Sequence, residues 1–86
     1  MKNITILGST GSVGVQALEV IDNIKEEFNL VGISAHENVD LLIEQAKLYK
    51  PKYACISNDK YKDILLNSLN PKKYKILFGR EGLLEL

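Results

Sequence analysis

The 86-residue sequence contains one cysteine, one histidine, two prolines and no tryptophan. Its single cysteine, Cys55, excludes an internal disulfide and is typical of proteins in a reducing compartment. No apolar run approaches the roughly 20 residues that a membrane-spanning helix needs, and the amino terminus carries no secretory signal. The sequence therefore predicts a cytoplasmic protein without a membrane partner.

The chain has no net formal charge, because 11 basic residues balance 11 acidic ones. The charges are unevenly distributed: residues 1–44 carry two basic and seven acidic residues, whereas residues 45–86 carry nine and four. A basic patch for an anionic partner is one interpretation of the second half. The preferred interpretation is that these lysines lie on solvated helix faces, because no aromatic or arginine cluster lies among them. We therefore expect no nucleic-acid partner.

Short apolar segments alternate with stretches of helical periodicity along the whole chain. Strands are predicted over residues 3–7, 28–34, 53–56 and 74–78. The first two are almost continuously apolar, so we expect both of their faces to be covered. The alternation predicts an α/β fold, a Rossmann-like doubly wound parallel sheet truncated after about four βα units. Residues 79–86 are predicted to begin a fourth helix.

Three amphipathic helices are predicted between the strands. Asn38 is a candidate cap for the second helix and Asn58 for the third. The apolar stripes are Ala17, Leu18, Ile21 and Ile24; Val39, Leu42, Ile43, Ala46 and Tyr49; and Tyr61, Ile64, Leu65 and Leu69.

The segment GSTGSVG follows the first predicted strand and opens the first predicted helix. Gly8 would permit the sharp turn, Gly11 would let the backbone approach a pyrophosphate, and Gly14 would let helix and strand pack closely. Thr10 and Ser12 add hydroxyl donors, and Ser12 is also a candidate helix cap. The alternative is a tight turn whose glycines only relieve strain. The strand–loop–helix context favours phosphate binding at the helix amino terminus.

The end of the second strand bears on the choice between NAD and NADP. An NAD site usually has an acidic residue here for the ribose 2′-hydroxyl. Small Ser34 and Ala35 leave room for a 2′-phosphate, and His36 with Asn38 can donate to it, which favours NADP. Glu37 argues for NAD if its side chain turns inward. An exposed loop histidine without a ligand is an equally good interpretation of His36.

Chemistry beyond nucleotide binding finds little support in the sequence. Cys55 lies in an apolar strand without a nearby histidine, which indicates a buried, inert thiol. The acidic residues have ordinary helix-surface spacing, and no cluster has metal-ligand spacing or the composition of a catalytic triad. We therefore assign no catalytic and no metal-binding residue within the chain.

The segments ITILGSTGSVG, QALEVI and FNLVGISAHENVDLLIEQAKLYKPKYACI together closely resemble the start of the 1-deoxy-D-xylulose 5-phosphate reductoisomerase family. The resemblance implies NADPH as cofactor, Mg²⁺ or Mn²⁺ as metal, a small sugar-phosphate substrate and a homodimer. It implies pyrophosphate contacts from Thr10, Gly11, Ser12 and Val13. It also implies contacts to the adenosine ribose and its 2′-phosphate from His36, Glu37 and Asn38.

By this resemblance, residues 1–86 are the front part of a longer enzyme, a partial amino-terminal NADPH-binding domain. The metal ligands and the catalytic groups would follow residue 86, so the 86 residues alone are expected to be inactive. Many relatives have a small residue at position 36 and Lys or Ser at position 37. Two alternatives remain open: a nucleotide-binding domain of another dehydrogenase, of the semialdehyde dehydrogenase or sugar epimerase type, or a non-catalytic nucleotide-sensing module.

Overall fold

A computed structural model describes residues 2–24 and 26–85. Its elements are β1 (Lys2–Ile6), α1 (Ser12–Asn23), β2 (Phe28–Ala35), α2 (Val39–Tyr49), β3 (Tyr53–Ile56), a 3₁₀ turn (Asp59–Tyr61), α3 (Lys62–Ser68), β4 (Lys75–Phe78) and α4 (Gly79–Glu85). Each predicted strand agrees with the structure to within one residue at either end. Leu86, the last residue of the predicted fourth helix, lies outside the described residues. None of the helices described is long and apolar enough to cross a bilayer.

All four strands are parallel and lie in the order β1-β2-β3-β4. The register between β1 and β2 shifts between Ile4 and Thr5, because Ile4 pairs with Leu30 and Thr5 pairs with Gly32. Since parallel strands all end at the same edge, the loops that follow β1, β2 and β3 lie side by side. That edge is where the predicted nucleotide-binding segments meet.

Helices α1, α2 and α3 cover one face of the sheet. Ile33, Ala54 and Ile76 are in register across three strands on this face. They pack with one buried leucine from each helix: Leu18 of α1, Leu42 of α2 and Leu65 of α3. The predicted stripes are confirmed at these positions. Ile24 in the first stripe and Ile64 in the third are errors, because they are 38% and 46% exposed.

Helix α4 covers the opposite face of β3 and β4. Cys55 and Leu77 are paired in register and point away from the three-helix face, since side chains alternate along a strand. Both are buried, and α4 packs on their two strands. A Cβ at Gly82 would lie 3.0 Å from the Leu77 Cβ, so the glycine lets α4 approach closely. Helices therefore lie on both faces, as the doubly wound arrangement requires.

The first strand differs from the prediction that both of its faces are covered. Within the described residues, Ile4 and Ile6 of β1 are only half-buried. Leu7, which follows β1, is 62% exposed. The apolar run of β1 thus reflects packing on one face only within residues 2–24 and 26–85.

Both asparagines predicted to cap helices do so, although Asn58 caps the 3₁₀ turn before α3 rather than α3 itself. The Asn38 side chain accepts a hydrogen bond from the Leu41 N–H at 3.3 Å and caps α2. The Asn58 side chain accepts from the Lys60 N–H at 3.1 Å and so caps the 3₁₀ turn that precedes α3. At its other end α2 stops at Lys50, which has a left-handed backbone (φ 53) directly before Pro51.

Candidate nucleotide-binding site

A tight glycine loop joins β1 to α1. Gly8 has φ +71, a conformation that favours glycine, so its predicted role in the turn is confirmed. The Gly11 N–H donates to the Gly8 carbonyl at 3.1 Å and closes the loop. Gly11 is then the residue from which α1 starts.

Gly14 and Gly11 are glycines for different physical reasons. A Cβ at Gly14 would lie 2.6 Å from the Ser9 Cα and would overlap the Gly8 carbonyl oxygen, so only glycine lets α1 pack on the loop. Within the described part of the chain, a Cβ at Gly11 would meet only the Gly8 oxygen, at an ordinary 3.5 Å. Packing within the protein therefore requires glycine at position 14. It does not require glycine at position 11, where the outer side of the loop carries no side chain.

The amino terminus of α1 is open to an anion. The first N–H groups of an α-helix have no acceptor within the helix and carry part of its positive dipole. The predicted Ser12 cap is wrong: Ser12 is the first helical residue, and the cap position is held by Gly11, which has no side chain to accept a hydrogen bond. The first turn of α1 also contains no acidic residue. These features together suit a phosphate group.

A buried polar network fastens the glycine loop to β2 and α2. The Ser9 N–H donates to the Ser34 carbonyl at 2.8 Å, and the Gly8 N–H donates to the Ser34 hydroxyl at 3.2 Å. The Gln45 side chain of α2 forms two hydrogen bonds with Ser9, one with its hydroxyl and one with its backbone carbonyl. All three polar side chains are at least 95% buried.

The sequence did not indicate the role of Ser9 or Gln45, and it indicated a different one for Ser34. Ser34 was expected to leave room for a phosphate, whereas its hydroxyl and carbonyl hold the loop. One signal existed for Gln45: it lies between Leu42 and Ala46 on the apolar stripe of α2. A polar residue on such a stripe must find a buried partner.

The loop after β2 places its predicted site residues at the same sheet edge. The His36 Nδ1 lies 2.8 Å from the Ser57 hydroxyl, and its Nε2 lies 3.8 Å from a Glu37 carboxylate oxygen. Both side chains are largely exposed, at 72% and 64%. Exposed Asn38 uses its Oδ1 to cap α2, and its amide nitrogen carries two N–H donors.

The loop after β3 supports the loop after β2. The Ser57 N–H donates to the Ala35 carbonyl at 2.9 Å, and the Asn58 N–H donates to the His36 carbonyl at 3.1 Å. Ser57 is a third residue, after Ser9 and Gln45, whose role the sequence did not indicate. The structure thus brings the glycine loop and residues 36–38 together through β1, β2 and β3.

The model of the family described as 1-deoxy-D-xylulose 5-phosphate reductoisomerase matches residues 4–86. The chain belongs to this family. The reductoisomerase of Chloroherpeton thalassium is 46% identical over 86 residues, and that of Thermoanaerobacter sp. (strain X514) is 42% identical over 86 residues. Each alignment covers 100% of this chain and 22% of the relative, so the chain spans about a fifth of their length.

Solved reductoisomerases have the same fold. The enzyme of Zymomonas mobilis in complex with NADPH superposes with a TM-score of 0.90 at 27% identity, covering 98% of this chain and 22% of that one. A reductoisomerase in complex with NADPH, fosmidomycin and magnesium also gives 0.90, at 29% identity and with coverage of 99% and 21%. Neither the other dehydrogenase types nor the nucleotide-sensing module is favoured.

Two features bear on chemistry within this member of the reductoisomerase family. Burial raises the pKa of the Cys55 thiol from 9.0 to about 11, which keeps it protonated and unreactive at neutral pH. Among residues 2–24 and 26–85, no group of three or more His, Cys, Asp or Glu side chains is placed to hold a metal ion.

Proposed function

We propose that this chain is the NADPH-binding portion of a reductoisomerase. The longer enzyme would convert 1-deoxy-D-xylulose 5-phosphate to 2-C-methyl-D-erythritol 4-phosphate in non-mevalonate isoprenoid synthesis. The bare outer side of Gly11, at the open amino terminus of α1, is the observation that carries the proposal. Membership of the family supports it independently.

The glycine loop fits a dinucleotide's diphosphate. Thr10, Gly11, Ser12 and Val13 would hold it, because their backbone lies at or just before the first turn of α1. Val13 is 78% exposed, so its side chain is available to contact a ligand. The loop's role is to bind and orient the cofactor, since Ser9 and Ser34 anchor it in one position.

Residues 36–38 fit the adenosine ribose and its 2′-phosphate. His36 and Asn38 each offer a nitrogen donor, and Glu37 would contact the ribose. The Glu37 carboxylate lies on the His36 side and is exposed, so water screens it from a phosphate. The arrangement supports NADPH as the cofactor, with the preference over NADH reduced by one nearby negative charge.

The bound NADPH would supply the hydride for the reduction. Residues 1–86 would form a partial amino-terminal NADPH-binding domain, the front part of the enzyme. The catalytic groups and the ligands of Mg²⁺ or Mn²⁺ would lie outside this chain. We further propose a homodimer with this sugar-phosphate substrate and a location in the cytoplasm, where the free, buried Cys55 thiol is compatible with the reducing conditions.

A coupled measurement tests the proposal. The full-length protein is mixed with NADPH, 1-deoxy-D-xylulose 5-phosphate and Mg²⁺, and the nicotinamide absorbance is followed. We expect it to fall only when all three are present, and we expect no turnover from residues 1–86 alone. A full-length protein that binds NADPH but leaves the absorbance unchanged with this substrate would contradict the proposed reaction.

A further inference from the structure

Gln45 and Ser9 form a closed pair of hydrogen bonds between α2 and the glycine loop. The Gln45 Nε2 donates to the Ser9 carbonyl at 2.8 Å, and the Ser9 hydroxyl donates to the Gln45 Oε1 at 2.7 Å. Ser9 is fully buried and Gln45 is 5% exposed. Water therefore does not compete for these two bonds, which makes each of them costly to lose.

The pair acts at the centre of the loop. Ser9 lies between Gly8, where the chain turns, and Thr10, the first residue assigned to the diphosphate. Its hydroxyl is also 3.3 Å from the Ser34 carbonyl, a longer and weaker contact than the one to Gln45. Gln45 thus holds both the backbone and the side chain of the residue on which the loop's position depends.

Helix α2 connects the two halves of the nucleotide site. It starts at the cap Asn38, next to the residues assigned to the 2′-phosphate, and carries Gln45 two turns later. Because a helix is rigid over this length, the bond to Ser9 fixes the distance between the 2′-phosphate loop and the diphosphate loop. The packing of α2 on β2 keeps this arrangement in place.

We infer that Gln45 is a positioning residue for dinucleotide binding: through Ser9 it holds the glycine loop in the form that accepts the diphosphate. This inference rests on the proposed function. It assigns Gln45 no contact with the cofactor and no part in the reaction. Its loss should weaken ligands that carry a diphosphate and leave ligands without one unaffected.

The test compares two probes on the full-length protein. NADP⁺ carries both the diphosphate and the 2′-phosphate, whereas adenosine 2′-monophosphate carries only the second. For Gln45→Leu we expect the Kd of NADP⁺ to rise about ten-fold and that of the monophosphate to change less than about two-fold. An unchanged Kd for NADP⁺, or an equal rise for both probes, would overturn the inference.

Leu69→Ala is the matched control for lost stability, because Leu69 is 3% exposed and ends α3, outside the nucleotide site. We expect it to lower the melting temperature without a selective loss of NADP⁺. If the unsubstituted protein does not bind NADP⁺ at all, the proposed function fails instead.

A second variant keeps the test decisive if Gln45→Leu does not fold. In Gln45→Glu, a protonated carboxyl can restore both hydrogen bonds with Ser9, whereas a carboxylate faces the Ser9 carbonyl with like charge. Its Kd for NADP⁺, divided by that of the unsubstituted protein at the same pH, should fall towards one as the pH is lowered. A ratio that does not change with pH would overturn the inference.

Discussion

The Cα of Ser9 lies 2.6 Å from the position that a Cβ at Gly14 would take. The helix and the loop therefore meet backbone to backbone at this point. Among residues 2–24 and 26–85, Gly11, three residues earlier, has no such neighbour beyond an ordinary contact with Gly8. The spacing of the two glycines is regular, yet one serves the fold and the other is free to serve a ligand.

Replacing Gly14 should damage the fold. In Gly14→Ala the added methyl group meets backbone atoms that cannot move aside, so we expect a loss of stability of about 2 kcal/mol or more. The measurement is thermal unfolding followed by circular dichroism. A melting temperature equal to that of the unsubstituted protein would contradict the close packing of α1 on the loop.

Replacing Gly11 should spare the fold and damage binding. The added methyl group has space within the protein but occupies the outer side of the loop. For Gly11→Ala we expect a melting temperature within a few degrees of that of the unsubstituted protein. We expect the Kd for NADPH to rise at least about ten-fold. Titration with NADPH measures the Kd, and Gly14→Ala is the contrasting variant, in which stability is lost. Normal NADPH binding by Gly11→Ala would place the diphosphate elsewhere.

Glu37 should reduce the preference for NADPH. Its carboxylate lies beside His36, where we place the 2′-phosphate, and repels that group. For Glu37→Gln we expect the Kd of NADPH to fall about three-fold at low salt, whereas the Kd of NADH does not fall, because NADH carries no 2′-phosphate to be repelled. The difference should shrink as the ionic strength rises. An equal change for both cofactors would show that Glu37 does not face the 2′-phosphate.

Ser57 should affect cofactor selectivity through His36. The Ser57 hydroxyl holds the His36 ring by its Nδ1 at 2.8 Å. For Ser57→Ala we expect the Kd of NADPH to rise about three-fold, because a freely rotating ring loses entropy on binding. Ser57→Thr, which keeps the hydroxyl, is the control and should bind as before. The prediction is wrong if NADH weakens as much as NADPH.

Cys55 should make stability depend on pH in the alkaline range. Its pKa is 9.0 ordinarily and about 11 in the folded chain, so both forms are protonated below pH 9. As the pH rises from 9 to 11, only the unfolded form ionises. The free energy of unfolding should then fall by about 2–3 kcal/mol.

Urea unfolding across this pH range checks the prediction, with Cys55→Ala as the reference. The free energy of unfolding of this reference should decline less steeply with pH. Only the slopes are compared, so the absolute stability of the reference does not matter. Burial, with smaller contributions from Asp22 and Glu19, also raises the pKa of Tyr49. That contribution has the same sign but is present in both proteins, so it cancels in the comparison. Equal slopes would contradict the shifted Cys55 pKa.

Local sequence accounts for the errors as well as the successes. The Asn38 cap and the Gly8 turn were predictable because each depends on a few neighbouring residues and their preferred backbone angles. The Ser12 cap was wrong because Gly11 takes the cap position and leaves the turn open. The coverage predicted for both faces of β1 is not found within the described residues, where Ile4 and Ile6 are half-buried and Leu7 is exposed.

By itself the sequence determined the alternation of strands and helices and the position of the glycine loop between them. Those features follow from hydrophobic periods and backbone preferences that act over a few residues. Only the tertiary structure decided that Gln45 meets Ser9, 36 positions away, and that Ser57 meets His36, 21 positions away. Such contacts depend on which strands are neighbours and on where α2 packs, and no local pattern encodes either.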